Sequence, residues 1–295
     1  MTSRREVLKR ITAASALGLA ASPMLNDLVA QASLAADGRR ALVDGLLPSV
    51  AVKRCGVQLY TIRGEMEKGV EAALAKVAGI GYKEVEFAGY FGRTPRQIAQ
   101  LLKTNGLTSP AVHMPVSDIL KDPNAALDAL QTIGHTYAIM PYLDVRERDT
   151  IAKYHKLADQ LNEAGALTRK RGIQMAYHNH DFEFQLTDGK VPYDELLARC
   201  DKQLVQFEMD LFWTNKAGKD PLAYFAKYPG RFACVHVKDM KADGSMTEVG
   251  SGKIPFASYF AKASEAGIKH YFVEHDNPAD PWASITTSYK ALAAL

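Results

Sequence analysis

Eight short apolar segments recur along the chain, and each is followed by a segment of helical character. The apolar segments are rich in Val, Ile, Tyr and Phe, which is typical of strands buried in a parallel sheet. In chain order they read GVQLYT, EVEFAG, SPAVHM, YAIMPY, IQMAYH, LVQFEMD, FACVHVK and YFVEH. Strand and helix that alternate over about 250 residues predict a parallel sheet, and eight units predict a closed (β/α)8 TIM barrel.

Residues typical of helix starts and helix ends occur at the boundaries that this alternation predicts. Thr94-Pro95 and Asp220-Pro221 each place a capping residue before a proline, which is the pattern of a helix start. Gly106 and Gly267 stand where helices are predicted to end. A doubly wound open sheet is the alternative fold, but the first strand and its turn read GVQLYTIRGEM and lack the G-x-G-x-x-G pattern. The barrel is therefore the favoured fold class.

The N-terminal region has the composition of an export signal. MTSRREVLKR is basic, ITAASALGLAA is short and weakly apolar, and Ala30-Gln31-Ala32 offers a small-residue cleavage site. Arg4 and Arg5, followed by Val7, resemble the twin-arginine signal that exports folded proteins across a bacterial inner membrane. An amphipathic N-terminal helix is the alternative reading of the same residues.

These patterns predict three parts of the chain. Residues 1–32 are expected to be a twin-arginine type signal peptide, residues 33–51 a leader segment, and residues 52–295 the barrel. We therefore expect a periplasmic or secreted bacterial protein. It would be exported by the twin-arginine machinery and would have no stable membrane anchor after cleavage of the signal.

Composition limits the partners that the chain can have. The 295 residues are 47% hydrophobic and carry a formal net charge of +3, so a substantial core is expected without a strong charge. The body of the chain has no run of five or more Lys or Arg, and nucleic acid is not an expected partner. Cys55, Cys200 and Cys234 lack C-x-x-C spacing, which indicates neither a disulfide framework nor a zinc knuckle.

Ionisable side chains cluster at the predicted carboxyl ends of the strands, where the loops of a barrel meet at one mouth. In chain order they are Glu86, His113, His178, His180, Glu208, Asp210, His236, Lys238 and Glu274. Residues two apart on a strand point to the same side, so His178 and His180 share a face. Burial of such groups costs several kcal/mol each, roughly, unless they are paired or bind a cation. A divalent metal ion satisfies them most simply.

The best ligand set takes one group from each of strands five to eight: His178, Asp210, His236 and Glu274. Imidazole and carboxylate ligands suit one divalent metal ion such as Mn, Zn, Co, Fe or Mg, among which the sequence does not choose. The alternative is that the histidines hydrogen-bond loop carbonyls and the carboxylates cap helices, as Asp220 is expected to do.

Seven strings together resemble the sugar phosphate isomerase/epimerase family of the xylose-isomerase-like TIM-barrel superfamily. They are GVQLYTIR, GYKEVEFAGYFG, AYHNHDFEF, FEMDLFWTNKAGKDP, RFACVHVKDM, VGSGKIPF and VEHD. The resemblance implies a divalent metal held by Glu, Asp, His and Glu from strands five to eight, and the last three fall on Asp210, His236 and Glu274. At the first position this chain departs, because His178-Asn179-His180 stands where many members read E-N-H.

The resemblance implies an activity, and the histidine at position 178 adds an alternative activity. The two Glu ligands of the family form the acid–base pair that moves a proton beside a carbonyl, so a metal-dependent sugar isomerase or epimerase is expected. With His178 in one position, a lyase or hydratase acting on a keto-glycoside is the alternative. Export favours a non-phosphorylated sugar or keto-sugar as the substrate.

Two further classes of function are alternatives to these activities, and the sequence pattern disfavours one of them. A non-catalytic periplasmic sugar-binding barrel fits the predicted location. An AP-endonuclease-like phosphodiesterase is disfavoured, because Trp213 stands three residues after Asp210, where a further histidine would be expected. The sequence also leaves a homo-oligomer open.

Individual roles follow from the resemblance and from placement at the mouth. Glu274 is predicted to be both metal ligand and base, and His180 and Lys238 are predicted to donate protons to the departing or rearranging oxygen. Four residues are predicted to bind substrate: Glu86, His113, Trp213 and Glu183. Glu183 has an alternative role, the orientation of His180.

Overall fold

The computed structural model describes residue 52 and residues 54–295, so the predicted signal peptide and leader lie outside the described residues. Eight parallel strands close into a barrel, and the first strand pairs with the last. The strands are β1 Cys55–Gln58, β2 Glu84–Phe87, β3 Thr108–His113, β4 Tyr137–Met140, β5 Gln174–His178, β6 Val205–Asp210, β7 Phe232–Val237 and β8 His270–Val273. The predicted (β/α)8 TIM barrel is confirmed.

Helices fill the connections between successive strands. The α-helices are Arg63–Lys68, Val70–Ile80, Pro95–Asn105, Val116–Lys121, Pro123–Ile133, Ile151–Arg169, Pro192–Arg199, Leu211–Lys216, Pro221–Lys227, Phe256–Phe260, Ala263–Ala266 and Pro281–Ala293. Short 3-10 helices span Leu59–Ile62, Val145–Glu147 and Phe182–Phe184, and a two-stranded hairpin pairs Asp239–Met240 with Met246–Thr247. Over the residues that the structure covers, no helix has both the length and the apolar character needed to span a membrane.

Helix boundaries follow the capping residues of the sequence. The Thr94 hydroxyl accepts the N–H of Gln97 at 3.3 Å, and the Gln97 side chain accepts the N–H of Thr94 in return, so the two residues form a capping box. The Asp220 carboxylate accepts the N–H of Leu222 at 2.9 Å. At the other end, Gly106 takes a left-handed conformation with φ 63°, which a glycine adopts without steric cost.

The apolar core has two parts. A small cluster fills the inside of the barrel: Ala111, Tyr137, Ile139, Ala176, Ala233, Cys234 and Phe272. A larger cluster lies between the strands and the helices. All three cysteines are buried and free, as small apolar side chains would be. Because the barrel interior is packed, polar chemistry is confined to its ends.

The loop that contains VGSGK is held by a carboxylate of the protein itself. Asp239 Oδ2 accepts the N–H groups of Gly250 at 3.0 Å and Gly252 at 2.9 Å, and its Oδ1 accepts the N–H of Ile254 at 3.1 Å. These amides therefore serve a tight turn before Pro255. They do not form a cradle for a phosphate group.

Candidate metal centre

The carboxyl ends of β5 to β8 bring together the four residues of the predicted ligand set. One donor atom each from His178, Asp210, His236 and Glu274 lies within 4.8 Å of the others, and all four side chains are buried. His178 Nε2 is 3.3 Å from Asp210 Oδ2, and His236 Nδ1 is 2.7 Å from Glu274 Oε2. His178, Asp210 and His236 lie at the carboxyl ends of their strands, and Glu274 directly follows its strand, so the rigid barrel sets their spacing.

The Nδ1 atom of His236 shows that the group fits a divalent cation. This atom is buried and makes no hydrogen bond of acceptable geometry with residue 52 or residues 54–295, although Glu274 Oε2 is 2.7 Å away and Asp210 Oδ2 is 3.7 Å away. Buried nitrogens are rarely left in this way in folded proteins. A lone pair that converges with two carboxylate oxygens is the arrangement of a metal ligand. The donor set of two imidazoles and two carboxylates suits a borderline or hard divalent ion.

The ammonium group of Lys238 lies against three carboxylates at the edge of this group. Its Nζ is 2.9 Å from Asp210 Oδ2, 2.6 Å from Glu274 Oε2 and 2.8 Å from Asp276 Oδ1. Burial alone would lower the pKa of Lys238, but the three carboxylates raise it well above its usual value. Lys238 is therefore protonated at neutral pH.

The charge states of Glu274 and His180 likewise depend on burial and on the charges of neighbouring side chains. Burial opposes ionisation of Glu274, but Lys238 and His236 hold its pKa well below the usual range, so the carboxylate is ionised at neutral pH. Burial, together with His178 and Lys238, lowers the pKa of His180 to about 2. His180 is consequently neutral at neutral pH, whereas Lys238, which lines the cavity beside Glu274, is protonated.

A cavity of about 760 Å³ opens above these residues, which is ample for a sugar. Two members of the ligand set, His178 and Glu274, line the cavity, together with His180 and Lys238. Asp210 and His236 lie beneath the surface with no exposure. Tyr60 and Tyr142, which are 41% and 47% exposed, also line it.

A second group of ionisable residues lies below the first and shares His236 with it. His236 Nε2 is 2.7 Å from Glu86 Oε2 and 3.2 Å from Glu208 Oε2, and His113 Nε2 is 3.0 Å from Glu208 Oε2. Neither glutamate is exposed to solvent. Burial and the neighbouring Glu208 raise the pKa of Glu86. We refer to Glu86, His113, Glu208 and His236 as the inner group.

The four predicted substrate-binding residues occupy different layers. His113 lines the cavity, whereas Glu86 is buried in the inner group. Trp213 packs behind the cavity wall, with its ring centre 5.7 Å from that of His180. Glu183 is buried, and its carboxylate accepts the Tyr177 hydroxyl at 2.6 Å and the N–H of His180 at 2.8 Å. This placement favours the orienting role for Glu183, and contact with substrate stays a prediction.

Sequence reasoning gave no role to Glu208, Asp276 and Gln58. Asp276 follows Glu274 by two residues in VEHD and Glu208 precedes Asp210 by two, so strand parity was a signal for both. Gln58 Nε2 donates to Glu86 Oε2 at 2.7 Å. Gln58 ends the first strand, and nothing in the sequence marks it as a partner of Glu86.

Comparison with known proteins agrees with this architecture. The family model described as xylose isomerase-like TIM barrel matches residues 74–292, and the chain belongs to this family. A solved structure of a sugar phosphate isomerase/epimerase from Parabacteroides distasonis ATCC 8503 has a TM-score of 0.70 and 27% sequence identity, and the match covers 80% of this chain and 96% of that one.

Two further proteins are similar at lower coverage or identity. An inosose dehydratase of Bacillus cereus is 26% identical over an alignment of 179 residues that covers 53% of this chain and 59% of the relative, so the chain spans about three-fifths of that relative's length. The IolI protein, solved with a bound zinc atom, has a TM-score of 0.64 and 15% identity, and the match covers 81% of this chain and 96% of that one. At this identity the last likeness shows the fold alone.

Proposed function

We propose that this protein is a metal-dependent lyase that removes the proton next to the carbonyl of a keto-sugar and expels an oxygen from the adjacent carbon. The observation that carries the proposal is the asymmetry of the two ligand-set residues that line the cavity. Glu274 is a carboxylate and His178 is an imidazole. One base is sufficient for elimination, whereas exchange of a proton between two faces of a carbon needs a second acid–base group. The relatives named inosose dehydratase support the same reaction class.

The four residues His178, Asp210, His236 and Glu274 would hold the divalent ion. When bound, such an ion polarises a carbonyl and stabilises negative charge on the adjacent oxygen. The bound zinc of the IolI protein supports a divalent metal, and Mn, Co, Fe and Mg are the other candidates.

The residues of the chain supply the proton transfers. The ionised Glu274 takes the C–H proton, and the electrons of that bond form the new double bond as the carbon–oxygen bond breaks. The Lys238 ammonium, 2.6 Å from Glu274, donates a proton to the departing oxygen. His180 is neutral and lines the same cavity, so it serves as a hydrogen-bond partner for a sugar hydroxyl.

The cavity wall favours a substrate without a phosphate group. Among the described residues that line it, Lys238 is the one Lys or Arg side chain, and three carboxylates already neutralise it. Phosphate recognition in proteins usually employs several cations or a set of backbone N–H groups. Export to the periplasm, as predicted from the N-terminal region, points to the same class of non-phosphorylated sugar.

An isomerase or epimerase is the second candidate. Asp276 also lines the cavity, and it contacts Lys238, so the wall offers a further carboxylate beside Glu274. The solved structure at 27% identity carries an isomerase/epimerase name. In this reading the proton returns to a carbon and no carbon–oxygen bond breaks.

Proton exchange in D2O separates the candidates. The protein, loaded with Mn or Zn, is incubated with inosose and a panel of keto-sugars and keto-glycosides, and NMR follows the carbon next to the carbonyl. Loss of the hydrogen from that carbon with an unsaturated ketone as product supports the lyase. Uptake with a stereoisomer or positional isomer as product supports the second candidate. Recovery of every ligand unchanged rejects both and leaves a binding protein.

The variant Glu274→Gln tests the assigned base. Loss of a general base lowers the rate by about 10²–10⁴-fold, and we expect an effect of that size on exchange. Asp118→Asn is the matched control, because Asp118 is an exposed carboxylate on the cavity wall outside the ligand set. Equal rates in both variants would contradict the role of Glu274.

A further inference from the structure

We infer that Glu86 and Glu208, which lie beneath the candidate metal centre, hold the ring of His236 so that its Nδ1 atom faces the metal. Glu86 and Glu208 are then positioning residues, and they act on the ion through His236 alone. The inference rests on the proposed metal centre. It gives a role to two fully buried glutamates that line no part of the cavity.

The two nitrogens of His236 have different surroundings. Nε2 makes a hydrogen bond of 2.7 Å with Glu86 Oε2 and lies 3.2 Å from Glu208 Oε2. Nδ1 makes no hydrogen bond and faces Glu274 and Asp210. A neutral imidazole carries one proton, and the proton must lie on Nε2 to donate to a carboxylate. The lone pair is then on Nδ1, on the side of the ligand set.

The two glutamates are themselves held by groups from other strands. Gln58 at the end of β1 donates to Glu86 Oε2 at 2.7 Å, and His113 at the end of β3 lies 3.0 Å from Glu208 Oε2. The His113 and His236 rings stack with centres 5.3 Å apart. The support for His236 therefore comes from β1, β2, β3 and β6, while the metal ligands lie on β5 to β8. Supporting carboxylates of this kind fix the tautomer and direction of a metal-binding histidine.

The inner group could instead hold a second cation, because its four donor atoms also lie within 4.8 Å of one another. Glu86 Oε1 and Glu208 Oε1 have no hydrogen-bond partner in the part of the chain that the structure describes, so spare acceptor capacity exists. The obstacle is His236, since a neutral imidazole has one lone pair and two ions would need both nitrogens deprotonated. A single ion on Nδ1, with the proton on Nε2, requires no such change.

Metal affinity in glutamine variants tests the inference. Glu86→Gln and Glu208→Gln each keep the side-chain shape and remove one of the two carboxylates beside His236 Nε2. We expect the affinity for Zn or Mn, measured by competition with a chelating dye, to fall about 10–100-fold in each variant. Either variant suffices if the other fails to fold, and circular dichroism checks folding. In the zinc-loaded wild type, ¹⁵N NMR of the imidazole should show the proton of His236 on Nε2.

Glu84→Gln is the matched control. Glu84 is on the same strand as Glu86, two residues earlier, is also buried, and also accepts from a histidine, His270 Nδ1 at 2.8 Å. The affinity of the Glu84→Gln variant for the metal should equal that of the wild type. Unchanged affinity in both inner-group variants, or a His236 proton on Nδ1, overturns the inference while the metal centre stands.

Two other outcomes have distinct meanings. A wild type that binds two ions, one of which is lost in Glu86→Gln or Glu208→Gln, replaces the inference with a second metal site. A wild type that binds no divalent ion rejects the metal centre itself and therefore both proposals.

Discussion

The two ends of the barrel accommodate buried charge in different ways. At the amino end, Glu84 Oε2 pairs with His270 Nδ1 at 2.8 Å, and Arg54 approaches Glu84 Oε1 at 3.7 Å from the solvent side. At the carboxyl end, His236 lies within 4 Å of carboxylate oxygens from Glu86, Glu208, Asp210 and Glu274. At the amino end Glu84 and His270 form a separate pair, whereas at the carboxyl end several carboxylates share His236 as a partner.

The two ends of the barrel also differ in whether their buried polar atoms have hydrogen-bond partners. Within the described residues, the side-chain atoms of Glu84 and His270 do not occur among the buried groups without a partner, whereas Glu86 Oε1, Glu208 Oε1 and His236 Nδ1 do. Glu84 and Glu86 lie on one strand and are both buried. Residue type and burial are therefore insufficient to define a site. Convergence of charges with unused donor and acceptor atoms is what marks the carboxyl end for ligand binding.

The largest effect is expected for Asp210→Asn at the carboxyl end. A metal that binds only the folded state adds about 4 kcal/mol to the free energy of unfolding at a thousand times its Kd. The variant loses a carboxylate of the predicted ligand set, so thermal unfolding should respond weakly to added Zn or Mn. Asp159→Asn, at an exposed pair with Arg199, should respond as the wild type does. Equal stabilisation of Asp210→Asn and wild type would remove the basis of the comparison.

Glu183→Gln addresses a second buried carboxylate near the mouth. Burial raises the pKa of Glu183 to about 7, above the value of about 4.5 for an unperturbed glutamate. Because the folded-state pKa is the higher one, the folded chain binds the proton more tightly. The resulting stability is complete below pH about 4.5 and is lost as the pH rises through 7.

This difference corresponds to about 3 kcal/mol between pH 4.5 and pH 8, since each pKa unit is about 1.4 kcal/mol. Urea unfolding at several pH values should show the free energy of unfolding of the wild type falling by this amount relative to Glu183→Gln. Glu195→Gln, at a partly exposed pair with His155, should run parallel to the wild type over the same range. A parallel curve for Glu183→Gln would contradict the prediction.

The smallest effect is expected for Glu84→Gln at the amino end. The variant weakens one charge-assisted hydrogen bond to His270, so the free energy of unfolding should fall by about 2 kcal/mol. Urea unfolding of the metal-free protein measures this change. Metal affinity should not change, because no residue of the ligand set contacts Glu84 in the described part of the chain. A weaker metal affinity would mean that the two ends are coupled.

Much of the fold could be predicted because its signals are local. All eight predicted strands exist, since each apolar run is short and bounded by capping residues. The segment before the predicted helix end at Gly267 forms two short helices, Phe256–Phe260 and Ala263–Ala266, because Lys262 N–H donates to Tyr259 O, three residues back, and tightens the turn between them. Local patterns indicate that a helix exists more reliably than they indicate where it ends.

The proximity of His178, Asp210, His236 and Glu274 could also be anticipated, because strand order and strand parity place them at one mouth. The partners of these residues could not be. Glu86 and His236 are 150 residues apart in the chain, and Lys238 and Asp276 are 38 apart. No spacing rule joins side chains across a barrel, since the contact depends on how the strands tilt and how the sheet closes.

By itself, the sequence determined the barrel and the ionisable residues at the carboxyl ends of its strands, because alternation and parity are properties of neighbouring residues. The tertiary structure decided which of those residues contact one another. It placed His178 and Glu274 on the cavity wall, surrounded Lys238 with three carboxylates and put Glu86 and Glu208 behind His236. Contacts of about 3 Å between residues on different strands arise only when the sheet closes on itself.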